Sequence, residues 1–413
     1  MSLNILPLPL PPSSPHTELS AYIRGNYLFI EHMGGDTLNY SRTRVIVKIG
    51  DDYQPKPSLI EINSNGLWEC GEYIRYLYSG NLTVSVMIVD EDSNTILLHG
   101  HLQRGGTEWI GAVPPLLVST LRTDSEDEDL TCYALPQQNF DATTYIYNWK
   151  KNGTSIYEVL LPFDTQSNSI SKDYSGNGYN ATVGGAIWIA SGKVGGAYSF
   201  DGNSGGLICS LPSIFSNWSN SFTITFWMYS RDIESDSTRR CLCEAYVDQN
   251  NSLQIFQYNS SLQIALKLNR TDISRASSAL SNNTWYFVAI VWNGSSLTVY
   301  INGTECPSIS GDTAYQSGNT PSLTIGYRSD GSNVFYGYID EFYISRYARS
   351  PHQIYQDYMD MRNGSSAHRT LVADETSIGD AWSCTIIPND TTRDAEPIDS
   401  NVIVITAYGG GTT

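Results

Sequence analysis

Several groupings in this 413-residue sequence place reactive side chains close together. His32 sits between Glu31 and Asp36 in a Gly-Gly turn, where an imidazole could exchange a proton with a carboxylate. Such a relay needs partners that converge on a substrate, and a turn-holding hydrogen bond accounts for the same residues with fewer requirements. His99-Gly100-His101 sends two imidazoles to one side of a strand, a pair of metal ligands without a third, so a solvated face is the simpler reading. The run Asp124-Ser125-Glu126-Asp127-Glu128-Asp129 collects carboxylates of the kind that bind calcium, and also has the composition of a solvated loop. Cys241-Leu242-Cys243 is too tight for a zinc knuckle; on a strand both thiols would share a face, leaving one to reach Cys306. Asp340-Glu341 is an adjacent carboxylate pair, but a glycosidase needs its two carboxyls across a cleft, and neighbours on a strand point to opposite faces. No nucleophile elbow, phosphate loop or metalloprotease helix is present. The expectation is a protein that binds rather than catalyses.

Composition narrows the setting. Charged residues are 16% and aromatics 12%, a balance that favours a secreted all-β protein over a cytosolic helical enzyme. A net charge of -18 with no basic run excludes partners such as nucleic acid or anionic lipid, which require a cationic patch. Seven cysteines fit an oxidising compartment with one or two bridges and at least one thiol left over. Asn39, Asn81, Asn152, Asn180, Asn217, Asn269, Asn302 and Asn389 head candidate glycosylation sequons, which lean towards a glycoprotein of the cell surface. No segment has the roughly 20 apolar residues of a membrane span. The leader alternates Leu with Pro and has neither helical potential nor the basic start of a signal peptide, so the expectation is either a removed export signal or, as the favoured reading, an excised ectodomain.

The elements that must position these groups are strands throughout. Tyr27-Leu28-Phe29-Ile30, Val45-Ile46-Val47, Leu82 to Val86 and Thr95 to Leu98 are β-rich runs punctuated by Gly, Asp and Asn. With the turn Phe29 to Asn39, they resemble the ectodomain of archaeal type IV pilin-like proteins. Cys70 departs from that pattern, as does the lack of an apolar N-terminal helix. Two fragments far apart in the chain, Cys132 with Trp149 and Asp380-Ala381-Trp382-Ser383-Cys384, are similar to the halves of an immunoglobulin-like sandwich. That resemblance implies a disulfide between Cys132 and Cys384 with Trp149 packed on it, and puts Trp382 where tyrosine usually anchors a corner.

Between the halves lie Asp173-Tyr174-Ser175-Gly176-Asn177-Gly178, Gly192-Lys193-Val194-Gly195-Gly196-Ala197-Tyr198-Ser199-Phe200-Asp201-Gly202, Phe222 to Met228, Trp285 to Trp292, Leu297 to Gly303 and Gly337 to Ile344. A capped short helix at Ser350-Pro351 follows. In this order they resemble a laminin-G-like, concanavalin A-like jelly roll. The resemblance implies a calcium site, for which Asp173, Asp201 and Asp340 are the candidate ligands by motif position; Asx capping of turns explains the same aspartates. The expected organisation is all-β, with three β-sandwich modules. The modules are a pilin-like sandwich (19–107), a discontinuous immunoglobulin-like domain (108–163 plus 364–407) and an inserted jelly roll (164–363), with a Pro-rich leader (1–18) before them and a Gly-rich tail (408–413) after. Expected function follows: a non-catalytic, extracellular pilin-like protein or adhesin whose jelly roll contacts a glycan or cell-surface protein. Two alternatives are a structural filament or lattice subunit assembling by strand addition through its N-terminal segment, and an accessory module of a glycan-active enzyme.

Overall fold

The computed structural model describes the chain except residues 1–14, 16, 25, 62–63, 79–81, 94, 103–113, 122, 135–139, 141, 234–237, 308, 312–319, 365–367 and 408–413. The N-terminal segment proposed for strand addition, the Gly-rich tail and Asn81 therefore lie outside the described residues. The fold is all-β, with one α-helix among the described residues, Pro351–Met361. No described helix is long and apolar enough to cross a membrane. The chain forms two compact units, 1–110 and 111–413.

In the first unit, period-2 alternation builds two larger antiparallel sheets, beside a two-stranded one of Leu38–Asn39 and Leu67–Trp68. Thr17–Arg24, Tyr27–Gly35 and Tyr73–Leu77 form one; Asp52–Gln54, Thr43–Ile49, Val84–Asp90 and Thr95–Leu102 form the other. Alternate residues Leu28 and Ile30, Val45, Val47 and Ile49, and Val84, Val86 and Ile88 meet around the buried Trp68.

The second unit holds two cores. A small sandwich is assembled from both ends of the unit: Leu116–Ser119, Leu130–Tyr133 and Thr370–Leu371 make one sheet, and Thr154–Ser155, Thr144–Lys151 and Ala381–Asn389, with Ile398–Asp399 and Ile403–Val404, the other. Cys132, Trp149, Trp382, Cys384 and Leu371 are among the buried residues between them. The larger core lies between two eight-stranded antiparallel sheets. The first is Ile187–Ile189, Ala197–Asp201, Tyr336–Ser345, Phe222–Ser230, Trp285–Trp292, Leu297–Ile301 and Thr304–Glu305, joined by Tyr157–Leu161. The second is Ile170–Ser171, Ala181–Gly184, Gly206–Ser210, Ser322–Ile325, Arg240–Asp248, Asn251–Tyr258, Ser261–Leu268 and Thr271–Ala276.

Strand Tyr157–Leu161 departs from the sequence reading, which assigned it to the split sandwich. It hydrogen-bonds to Phe342–Ser345 in the jelly-roll sheet, with Val159 and Leu161 in the large core and Tyr157 and Leu160 in the small one. A strand apolar on both faces serves both cores, and its sequence does not say which ladder takes it. The helix is capped as expected, Gln353 N–H donating to Ser350 Oγ at 3.1 Å with Pro351 in the first turn. Ile354 and Met361 dock it on Trp227, Phe287 and Ala289 of the first sheet's outer face.

Candidate binding face

The jelly-roll strands sort their aromatic residues by phase. On Phe222–Ser230 the even positions Phe222, Ile224, Phe226 and Met228 enter the core; on Trp285–Trp292, Val288, Ile290 and Trp292 do so. The opposite phase, including Trp227, Phe287 and Ala289, faces outward under the helix. At the end of this outer face the same phase brings out Tyr229, Trp285 and Tyr338, each half-buried. Tyr229 is the cross-strand partner of both Trp285 and Tyr338. Ring centroids lie 5.5 Å apart for Tyr229–Trp285, 5.2 Å for Tyr229–Tyr338 and 6.1 Å for Trp285–Tyr338. The Arg231 guanidinium lies 4.7 Å from the Tyr338 ring centre and 5.3 Å from that of Tyr336, and donates to the Tyr338 hydroxyl. Three rings and a planar cation make a continuous π surface with polar edges, suited to stacking on apolar C–H faces while exchanging hydrogen bonds at the rim. Sequence reasoning read Trp285 and Tyr338 only as strand formers and did not single out Tyr229 or Arg231; outward phase on three neighbouring strands was the available signal.

The second sheet offers less. Its outer face buries Glu244, whose Oε1 accepts from Gln254 Nε2 at 2.5 Å and whose Oε2 accepts from Ser329 N–H at 2.7 Å and Ser329 Oγ at 2.6 Å. Beside it a cavity of about 10 Å³, bordered by Cys241, Phe256 and Arg328, has room for roughly one water.

The three aspartates considered for calcium do not converge. Asp173 is buried and accepts four hydrogen bonds: Leu160 N–H at 3.0 Å and Ser175 N–H at 2.9 Å on Oδ1, Ser175 Oγ at 2.8 Å and Tyr179 N–H at 2.9 Å on Oδ2. No lone pair remains for a cation. Asp201 caps an exposed turn, accepting from Asn203 and Ser204 N–H at 2.8 and 3.0 Å; these bonds hold its carboxyl below the ordinary value. Asp340 is fully buried, accepting from the backbone N–H groups of Lys193, Val194 and Glu341 at 2.7, 2.9 and 2.8 Å. Among the described residues no group of three or more His, Cys, Asp or Glu side chains is arranged to hold a metal ion. The three residues do not fit calcium, and Asx capping, the competing reading, describes Asp173 and Asp201.

Asp340 and Glu341 do not point to opposite faces as a regular strand would require. A bulge sets Thr225 opposite Tyr343 and Trp227 opposite Asp340, with Glu341 at φ 51°. Ile339 and Phe342 both enter the core, so the two acids between them share the other side. Neither has any exposed surface, which denies a glycosidic bond access to this pair. Burial, then the neighbouring Asp164 and Asp340, push Glu341 well above the ordinary carboxylate range. Asp164 is likewise raised by burial, to about 7. Two glycines, Gly192 and Gly195, adjoin these carboxyls for steric reasons. A Cβ on Gly195 would lie 2.0 Å from Asp164 Oδ1, and one on Gly192 would meet Gly196 O at 2.3 Å and Asp340 Oδ2 at 2.7 Å.

The remaining candidates resolve individually. His32 is buried, its Nε2 2.9 Å from Asp36 O, a turn contact. His99 and His101 meet edge to face at 5.7 Å; burial, reinforced by His101, lowers His99 to about 4, and burial lowers His101. The acidic run is not a solvated loop throughout. Glu128 is buried, accepting from Leu121 N–H at 2.7 Å and from the hydroxyls of Thr123 and Ser125, and Asp129 accepts from Ala373 N–H at 2.8 Å. Cys241 and Cys243 do not share a face: a bulge between them puts Leu242 and Cys243 into the core, with Cys241 on the other side at the small cavity. Cys132 and Cys384, both fully buried, are thiols on facing sheets of the small sandwich; burial and the adjoining Cys132 push the Cys384 thiol up. Trp149 is the cross-strand partner of Cys384 and donates to His368 O. The indole N–H of Trp382 finds no acceptor among the described residues.

Of the sequons, Asn39, Asn152, Asn180, Asn217 and Asn269 are exposed and Asn302 half-buried. Asn389 is fully buried, its Nδ2 donating to Thr165 Oγ1 at 2.7 Å and Asp394 Oδ1 at 2.8 Å, which leaves no place for a glycan in the folded domain.

With this geometry in place, the comparisons with known proteins concern the jelly roll. Residues 201–355 match the laminin-G-type family described as the concanavalin A-like lectin/glucanases superfamily. No curated protein matches the chain by sequence. Among solved structures, the binding domain of Paraclostridial Mosquitocidal Protein 1 is 21% identical, with 49% of this chain and 51% of that one covered and a TM-score of 0.40. The botulinum neurotoxin serotype D binding domain is 18% identical over 52% and 51%, with a TM-score of 0.37. Domain 4 of AbnA, an extracellular arabinanase from Geobacillus stearothermophilus solved with arabinotriose, is 21% identical over 48% and 97%, with a TM-score of 0.38. The chain thus spans about half the length of these two binding domains.

Proposed function

We propose that this chain is a non-catalytic, extracellular binding protein of the cell surface, and that its jelly roll holds glycan on the platform of Tyr229, Trp285, Tyr338 and Arg231. The observation that carries the reading is the ring cluster at 5.2 to 6.1 Å on the outer face of a concanavalin A-like sheet. A pyranose presents alternating C–H and hydroxyl faces; the rings take the first, and the Arg231 and tyrosine hydroxyl edges the second. The chain's net charge of -18 directs the preference to neutral sugars over polyanions. The pilin-like character of the first unit and the immunoglobulin-like character of the split sandwich belong to the same reading, as the stalk of a surface-displayed adhesin. Glycan-array binding of the whole chain, with calcium and with a chelator, tests it. Binding to neutral glycans under both conditions is the expected outcome; an array silent under both refutes the proposal.

A further inference from the structure

The first unit carries an aromatic surface of its own. In the sheet of Thr17–Arg24, Tyr27–Gly35 and Tyr73–Leu77, Leu28, Ile30, Ile74 and Tyr76 turn into the core. The alternate positions therefore turn outward, and they are largely apolar: Tyr22, Tyr27, Phe29, Met33, Tyr73 and Leu77. The face is continuous. The Phe29 ring centroid lies 5.4 Å from that of Tyr22, 5.5 Å from Tyr73 and 6.3 Å from Tyr27, and Leu77 is the cross-strand partner of Tyr27. Leu77 is 70% exposed, Met33 52% and Tyr27 38%. A contiguous apolar face open to water marks a place where something docks.

The polar groups on this face restrict what docks there. Glu31 accepts from the Tyr22 hydroxyl at 2.8 Å, and the Arg75 guanidinium lies 5.1 Å from the Tyr27 ring centre. One acid and one base leave the face without net charge, which favours an uncharged, apolar occupant over a charged one.

The chain supplies such an occupant beside the face. Residues 3–12, Leu-Asn-Ile-Leu-Pro-Leu-Pro-Leu-Pro-Pro, hold no charged side chain, and only residues 13–16 separate them from Thr17, where the first strand of this sheet begins. Pro7, Pro9 and Pro11 remove every second backbone N–H, so the segment keeps at most one hydrogen-bonding edge for a sheet, while their fixed φ favours polyproline II. Aromatic surfaces read that conformation through prolyl rings and the side chains between them. The lengths agree: ten residues of polyproline II span about 31 Å, and the eight-residue strand Thr17–Arg24 about 27 Å. A four-residue tether makes the encounter intramolecular, which favours the chain's own segment over one from a second copy.

The geometry points to residues 3–12 docking in polyproline II form on the aromatic face of their own chain, with Leu6 to Pro12 against Tyr22, Tyr27 and Phe29. The docked segment caps the face and withdraws it from contact with other chains.

The test titrates a synthetic peptide of residues 1–15 into the full chain, as wild type and as Leu6→Ser/Leu8→Ser/Leu10→Ser, with sedimentation velocity on both. Tyr27→Ser and Leu77→Ser are each added to the triple variant; both positions are exposed, so neither substitution opens the core. The peptide should bind the triple variant, bind wild type at least about tenfold more weakly because its own segment competes, and lose at least about tenfold affinity with either added substitution, while wild type sediments as a monomer. No binding to the triple variant, or binding indifferent to both Tyr27→Ser and Leu77→Ser, overturns the proposal. Equal affinity for wild type and triple variant overturns it too, since the face would then stand empty in the intact chain. Wild-type oligomers that dissolve in the triple variant assign the face to a second copy's segment and overturn the intramolecular cap.

Discussion

At the scale of single residues, the outward phase of Trp285 is the decisive feature. Trp285→Ala removes the largest ring of the platform from outside the large core, so glycan affinity should fall roughly tenfold, and the loss of its contacts with Tyr229, Tyr338 and the cluster under the helix should lower the unfolding free energy by roughly 1–2 kcal/mol, measurable by titration and urea unfolding. Gly195 shows the opposite pattern. Its φ of 55° and the 2.0 Å approach of Asp164 Oδ1 to an added Cβ predict that Gly195→Ala destabilises by roughly 2–3 kcal/mol, read as a lower urea midpoint. The Gly-rich Gly192 to Gly202 segment was legible as tight turns, but its reason was not. The buried carboxyls that forbid side chains there come from residues 164 and 340, and no local pattern announces that they will be neighbours.

At the scale of elements, the long strand Tyr336–Ser345 carries a bulge at Glu341 that gathers Asp340 and Glu341 on one side, near Asp164. Burial raises Asp164 from 3.8 to about 7. A carboxyl raised in the folded state contributes stability that is fully present below its unfolded value and declines as pH rises through the folded one. Unfolding free energy should therefore fall between about pH 4 and about pH 7, and Asp164→Asn should flatten that slope in chemical denaturation across the range. A regular-strand reading of Asp340-Glu341 missed this because alternation cannot predict where a register shifts. The same limit explains Cys241-Leu242-Cys243, whose bulge separates two thiols that period-2 placed together. The order of the six jelly-roll segments, by contrast, was legible through their resemblance to a laminin-G-like fold, and continuous apolar runs such as Phe222 to Met228 and Trp285 to Trp292 mark strands buried on two faces.

At the scale of the whole molecule, one sandwich is assembled from residues on both sides of an intervening jelly roll, and Cys132 and Cys384 face one another in its core. A bridge between them would close a very long loop. Oxidation should raise the unfolding free energy by roughly 3–5 kcal/mol and leave five titratable thiols of the seven in the sequence, which a thiol assay in denaturant counts. Asp173 and Asp201 are committed to turns, so a chelator should leave both the midpoint and glycan binding unchanged. The central claim is that the jelly roll binds glycan through its outer aromatic face. The most direct measurement compares the wild-type chain with Trp285→Ala on one glycan array at matched concentration. Neutral glycans bound by the first and released by the second are the predicted result; equal binding by both, or by neither, would contradict the account.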